Sequence, residues 1–155
     1  EGKMSPMNKL REVRDEKKLD NKGFSLVELI IVIAIMAVLI GVLAPQYLKY
    51  VEKSRVSADA DQLDKLISAV EIYSAENGVV EGKIEIDEDG VVKADTDVEK
   101  ALNDAGLKTD SSVIKVASKT FKKDATISFT ADGVKVSDED IAAALGREYE
   151  AKHTS

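Results

Sequence analysis

The chain has no cysteine, no tryptophan and a single histidine, His153, and aromatic residues make up only 5% of its 155 positions. Without cysteine there is no disulfide framework, no thiolate nucleophile and no cysteine-ligated zinc. One histidine near the end leaves no histidine-based triad or metal cluster. Acids outnumber bases by 29 to 22, for a net charge of -7. That balance disfavours non-specific adhesion to nucleic acid or to anionic lipid, which needs basic surface. No cofactor-binding pattern is present, and neither a phosphate loop nor a nucleophile with a nearby base can be found. The sequence is therefore expected not to be an enzyme, and to hold no cofactor and no metal.

One long apolar run, between two charged regions, sets the organisation. Residues 1–23 are polar, mixed in charge and without apolar periodicity, as in a leader or an unstructured segment. The chain opens on Glu1 with Met4 and Met7 close behind, which is read as an internal start or as added residues. From Phe24 to Ala44 the only polar residues are Ser25 and Glu28. As a helix these residues span about 31 Å, the thickness of the hydrocarbon core of a bilayer. Lys17, Lys18 and Lys22 precede the run and favour a cytoplasmic N-terminus, although Lys49, Lys53 and Arg55 beyond it weaken the asymmetry. Helical spacing continues past the run through Val51, Ala58, Leu63, Leu66, Ile67, Val70 and Tyr73, and Gly78 supplies a stop. The expectation is one helix over residues 24–77, about 80 Å long.

Three identities compete for the run. A cleaved secretory signal should be shorter and end in a small-x-small site, but this run ends Val42-Leu43-Ala44-Pro45. A plain signal anchor for an extracytoplasmic binding protein fits the hydropathy. It gives no reason for a carboxylate at Glu28, however, nor for a helix that runs on into water. The third identity rests on the residues themselves. "KGFSLVELIIVIAIMAVLIGVLAP" closely resembles the class III signal of type IV prepilins, over residues 22–50 and fading beyond. The resemblance implies that a prepilin peptidase cuts between Gly23 and Phe24, and that Phe24 then becomes an N-methylated N-terminus. It divides the chain into a leader (1–23), a transmembrane and filament-core half-helix (24–45) and a soluble head (46–155).

At membrane depth a carboxylate must be neutral, in contact with water or paired with a cation. Cleavage after Gly23 creates such a cation, the amine of Phe24, about 6 Å along a helix from Glu28. The resemblance implies that Glu28 of an incoming subunit attracts the N-terminal amine of its neighbour during assembly. Downstream, Pro45 should leave the carbonyl of Gly41 without its helical donor, and Gly41 itself weakens the helix. A weak point over Gly41–Pro45 is expected, where the resemblance implies loss of helicity on entry into a filament.

Beyond Gly78 the pattern is one of short strands. "KIEIDEDGVVKA" alternates and turns at Asp89-Gly90, and "ATISFTADGVKVS" reads as a second hairpin turning at Asp132-Gly133. "SSVIKVA" reads as a strand, and residues 97–105 as a short helix stopped by Gly106. Ser137 with Asp140 resembles a capping box that opens a final helix over residues 138–151. The expected fold class is α+β: the long helix packed on a small antiparallel sheet of three to five strands, with a C-terminal helix. "EIDEDG" begins like a calcium loop but places Thr96 where the last ligand belongs, so a solvated turn is preferred. Asp138, Glu139 and Asp140 read as acids at a helix start. Tyr47 and Tyr50 read as interface anchors, and Tyr73 as packing.

The expected function is a structural subunit, a major pilin of a type IV pilus serving adhesion, twitching motility or biofilm. Its partners would be other pilin subunits in a homopolymer, the prepilin peptidase, the pilus assembly machinery and, before assembly, the cytoplasmic membrane. No specific nucleic acid is indicated. The absence of cysteine implies a Gram-positive, clostridial type. The alternatives are a minor pilin or a pseudopilin of a type II secretion or competence system, which share the N-terminal signal.

Overall fold

The computed structural model describes Gly2, Pro6, Met7, residues 23–108 and residues 114–151. In chain order the elements are helix α1 (Leu26–Asn77), strands β1 (Gly82–Ile86) and β2 (Val92–Ala94), helix α2 (Thr96–Asp104), strands β3 (Ala125–Thr130) and β4 (Gly133–Val136), helix α3 (Glu139–Leu145) and strand β5 (Glu148–Tyr149). The chain divides into two compact units, Glu1–Gln46 and Tyr47–Ser155. The part of α1 in the first unit is exposed along its whole length. The long helix expected over 24–77 is thus present, beginning two residues later. It ends on Gly78, whose φ of +100° suits a left-handed stop and whose N–H donates to Ser74 O at 3.0 Å.

In the second unit α1 buries one stripe: Asp59, Leu63, Leu66, Ile67, Ala69 and Val70. Ala58, assigned to that face by spacing alone, is exposed, and the neighbouring Asp59 is turned inward instead. The stripe packs with alternate residues of the sheet, among them Ile84, Ile127 and Val136, and with Phe121 and Ile141, all without exposed surface. Burying side chains of this size contributes about 1.5–3 kcal/mol each before conformational entropy is subtracted.

The sheet runs β2-β1-β3-β4-β5. Its first four strands are antiparallel as expected, but β5 pairs parallel to β4. The reason lies in Gly146. The helix expected over 138–151 stops after Leu145, because Gly146 adopts φ +62° and its N–H and that of Arg147 return to Ala143 O and Ala142 O. A short crossover helix then brings the chain back parallel to β4. Its cap differs too. Asp138, rather than Ser137, accepts the Ile141 N–H at 3.0 Å, while Ser137 Oγ accepts from Thr126 N at 2.8 Å.

The first hairpin turns one residue earlier than expected, at Glu88-Asp89, with the Gly90 N–H donating to Asp87 O at 2.9 Å. Asp87 Oδ1 accepts the N–H groups of Asp89 and Val91, so this carboxylate is engaged in the turn itself. Gly90 has φ +80°, and a Cβ there would lie 2.5 Å from Val116 O. The second hairpin turns one residue earlier than expected, at Ala131-Asp132. Gly133, at φ +120°, already pairs with Thr130 as the first residue of β4. Helix α2 appears one residue ahead of its expected bounds, with Asp95 as N-cap accepting from Val98 N. Of the strand expected over 111–117, residues 111–113 lie outside the described residues. The remainder forms no strand, only an isolated bridge from Lys115 to Val91.

The reason is again Asp59. Only 4% exposed, it accepts the Ala117 N–H at 3.0 Å and the Ser118 N–H at 2.7 Å, so these amides go to α1 rather than to a strand. Two helical turns earlier, Glu52 accepts the Lys119 N–H at 2.6 Å. On the other side of the head, Arg147 donates to Glu71 at 2.8 Å and to Asp64 at 3.2 Å. Partial burial lowers the Arg147 pKa, but its bonds to Glu71 and Asp64 outweigh this and hold it above its ordinary value.

Because Asp59 satisfies two backbone amides with a charged acceptor, Asp59→Ala should destabilise the head by about 2–4 kcal/mol. Leu63→Ala should destabilise it by a similar amount, about 2–5 kcal/mol. Urea denaturation monitored by circular dichroism checks both. A loss below about 1 kcal/mol for Asp59→Ala would mean that water replaces the carboxylate.

Candidate functional site

The first turns of α1 carry the residues singled out in the sequence. Ser25 Oγ accepts the Glu28 N–H at 3.2 Å, and Ser25 O accepts the Leu29 N–H at 3.2 Å. Ser25 thus caps the helix, and Glu28 stands at its third helical position, where an acid complements the positive end of the helix dipole. Hydropathy alone registers Glu28 as a charge in an apolar run. The signal for its second role was present as Ser-x-x-Glu, the spacing of a capping box. Phe24 and Glu28 lie on one side of the helix start. With Leu29, Ile31 and Val32 they line a shallow groove of about 500 Å³. Gly23 immediately precedes them, outside any helix or strand.

From Leu29 to Ala44 the exposed surface is apolar without interruption. The helix contains a membrane-length window of mean hydropathy 3.1, and none of that window is buried. Ile30, Ile33, Leu39 and Leu43 each expose more than half of their surface. A contiguous apolar surface of this extent marks a contact with lipid or with other protein. Gly41 and Pro45 both lie within helical backbone, and α1 continues through Pro45 without a break. Proline has no N–H, so Gly41 O is the carbonyl deprived of its usual donor.

Elsewhere the described surface offers no catalytic arrangement. Two concavities of the head are open and lined mainly by strand-edge and turn residues, such as Glu85, Asp87 and Lys93, or Tyr73, Asn77 and Lys100. Among the described residues no group of three His, Cys, Asp or Glu side chains is placed to hold a metal ion. His153 lies outside the described residues.

Comparison with known proteins agrees with this geometry. The family described as "Prokaryotic N-terminal methylation motif" matches residues 18–44. A fimbrial protein of Pseudomonas aeruginosa is 37% identical over 62 residues, covering 40% of this chain and 37% of that protein. The type IV major fimbrial protein FimA of Dichelobacter nodosus is 40% identical over 50 residues, covering 32% of each chain. The chain thus spans well under half the length of the curated relatives it matches. No solved structure matches it. Fold and N-terminal motif together define the class: an α+β head on a long helix whose first half is of membrane grade. Over its N-terminal part the chain is similar to type IV pilins, which are structural subunits.

The missing donor at Pro45 has a measurable consequence. Pro45→Ala restores an N–H opposite Gly41 O and removes a ring clash worth about 3 kcal/mol. Amide exchange over residues 41–49 should slow at least about tenfold. Unchanged exchange would show that the helix is already closed at this turn.

Proposed function

We propose that the chain is a major subunit of a type IV pilus, held first in the cytoplasmic membrane by residues 24–45 and later polymerised through the same surface. The observation that carries this reading is the fully exposed apolar half-helix, which begins at a methylation motif and has Glu28 in its first turn. In this reading residues 1–23 are a leader, and residues 46–155 form the head outside the membrane. A prepilin peptidase cuts between Gly23 and Phe24 on the cytoplasmic side, and Phe24 is then N-methylated. Gly23 presents no side chain to obstruct the protease, and the cut removes a charged extension from the end of a helix that must pack against its neighbours.

Cleavage also changes the electrostatics. A new ammonium appears at Phe24 beside the groove that holds Glu28. In a bundle of parallel helices, Glu28 of one subunit pairs with the amine of a neighbour displaced axially by about one turn. Inside a dry bundle an unpaired charge is heavily penalised, so the pair selects one register. The Gly41–Pro45 turn is the place where the helix extends most easily when the subunit enters the filament. The assembly machinery supplies the work, and the filament serves adhesion, motility or biofilm. The Gram-positive assignment rests on the absence of cysteine alone.

Two experiments test the reading. Mass spectrometry of the mature protein should show loss of residues 1–23 and a methylated Phe24. An intact chain in the membrane fraction would instead identify a signal-anchored binding protein. Glu28→Ala should insert and be cleaved normally, yet yield no filaments. Wild-type amounts of sheared filament from this variant would refute the pairing. If the chain proved a trace component of purified filaments, it would be a minor pilin or a pseudopilin.

A further inference from the structure

The head of this acidic protein has a basic end. Lys49, Lys53 and Arg55 lie in the first three turns of α1 within the second unit, and all are exposed. The segment after residue 113 adds a fourth cation. Glu52, between Lys49 and Arg55, accepts the backbone N–H of Lys119 at 2.6 Å, while Asp59 holds Ala117 and Ser118 from the next turns. The exposed Lys119 is thereby pinned beside three cations more than sixty residues away in sequence. Two carboxylates on this stretch of α1, Glu52 and Asp59, accept backbone amides. Among the described residues, none of the four cations makes an ion pair.

We propose that Lys49, Lys53, Arg55 and Lys119 form a collar that binds the phosphates of anionic phospholipids while the subunit waits in the membrane. The proposal rests on the membrane-spanning reading of residues 24–45. A net charge of -7 argues against lipid binding only if charge acts as a total. At physiological salt it does not, because charges farther apart than about 8 Å are screened from one another, and the local cluster decides. The collar also follows the apolar run in the order expected of a membrane interface. Tyr47 and Tyr50, 67% and 72% exposed, come with the first cations within eleven residues of Ala44. A span that keeps these residues close to the headgroups raises the effective phosphate concentration far above that of any soluble partner. The alternative occupant, the acidic surface of a second copy, becomes available only once a neighbour has been recruited.

The test uses the full chain reconstituted into vesicles of phosphatidylcholine, with or without phosphatidylglycerol. Limited trypsin digestion is read as the rate of cleavage after Lys119 relative to that after Lys93, which lies on β2 outside the collar. Contact with the anionic surface should slow cleavage after Lys119 about tenfold in the phosphatidylglycerol vesicles. High salt should remove the difference, and so should the combined Lys49→Gln, Lys53→Gln and Arg55→Gln substitutions. An unchanged rate for that variant in phosphatidylcholine shows that its head is folded. Equal relative rates in both lipids would overturn the proposal. So would protection of Lys119 that appears only in assembled filaments, which would assign the collar to a second copy. Flotation of the chain with both kinds of vesicle reports the span separately. A chain that does not float refutes the membrane reading, and the collar proposal with it.

Discussion

Everything in the head depends on a single stripe of α1. Leu63, Ile67 and Val70 have no exposed surface, and they are what the inner faces of β1, β3 and β4 close against. Neither partner could stand alone. A five-stranded sheet whose outermost strands have three and two residues needs a cover for its apolar face. A helix of this length gains most of its stability from packing rather than from propensity. The first half of the same helix has no such cover among the described residues. It therefore needs a lipid or protein surface, and this is the physical root of the functional reading.

The absence of cysteine gives the polar contacts of α1 their importance. Three places along the helix reach across to the C-terminal half of the chain: Glu52 to Lys119, Asp59 to Ala117 and Ser118, and Arg147 to Asp64 and Glu71. They join segments that a disulfide framework would otherwise tie. They differ in kind. Asp59 is buried and aims at backbone amides, so salt cannot screen it and side-chain substitutions in the loop cannot remove it. The Arg147 latch has partners about half exposed, and each of its bonds is correspondingly worth less. It is also the contact that sets the return path of the chain after Gly146. The same residue therefore stands at the helix stop, the latch and the start of the parallel edge strand.

Much of this was legible in the sequence, and the misses share a cause. Local rules found the long helix, both hairpins and α2, because in each case periodicity and a turn residue agreed. The errors fell where a side chain had a distant partner. Ala58 and Asp59 exchanged faces because the backbone of Ala117 and Ser118 attracts the carboxylate inward, and no periodicity announces that. The strand expected through residue 117 failed for the same reason. The overlong final helix was a different error. Gly146 is as clear a stop as Gly78, but the apolar and charged residues beyond it continued a helical pattern and outweighed it. At the functional end, residues 22–28 carried nearly all the available signal. At Glu28 hydropathy registers only the cost of a charge, and not the Ser25 cap and the helix start that favour an acid there.

That setting changes how Glu28 should be understood. A carboxylate in the first turn of a helix is favoured by the unsatisfied N–H groups there, so Glu28 is not a bare charge even in a lone subunit. The cap comes from Ser25, which lies on the retained side of a cut after Gly23, so processing would leave it in place. What cleavage adds is a full positive charge one turn away, at an end of the helix that is already positive. On the proposed pathway Glu28 would therefore meet a cationic environment at every stage: helix dipole alone before the cut, dipole and amine after it, and dipole with a neighbour's amine in a bundle. A residue stabilised in each of these states can pass between them without ever presenting an uncompensated charge to the apolar surface around it. An isosteric amide at this position would keep the spacing and the hydrogen-bonding capacity, but would lose the preference for a charged partner that distinguishes one register of the bundle from the others.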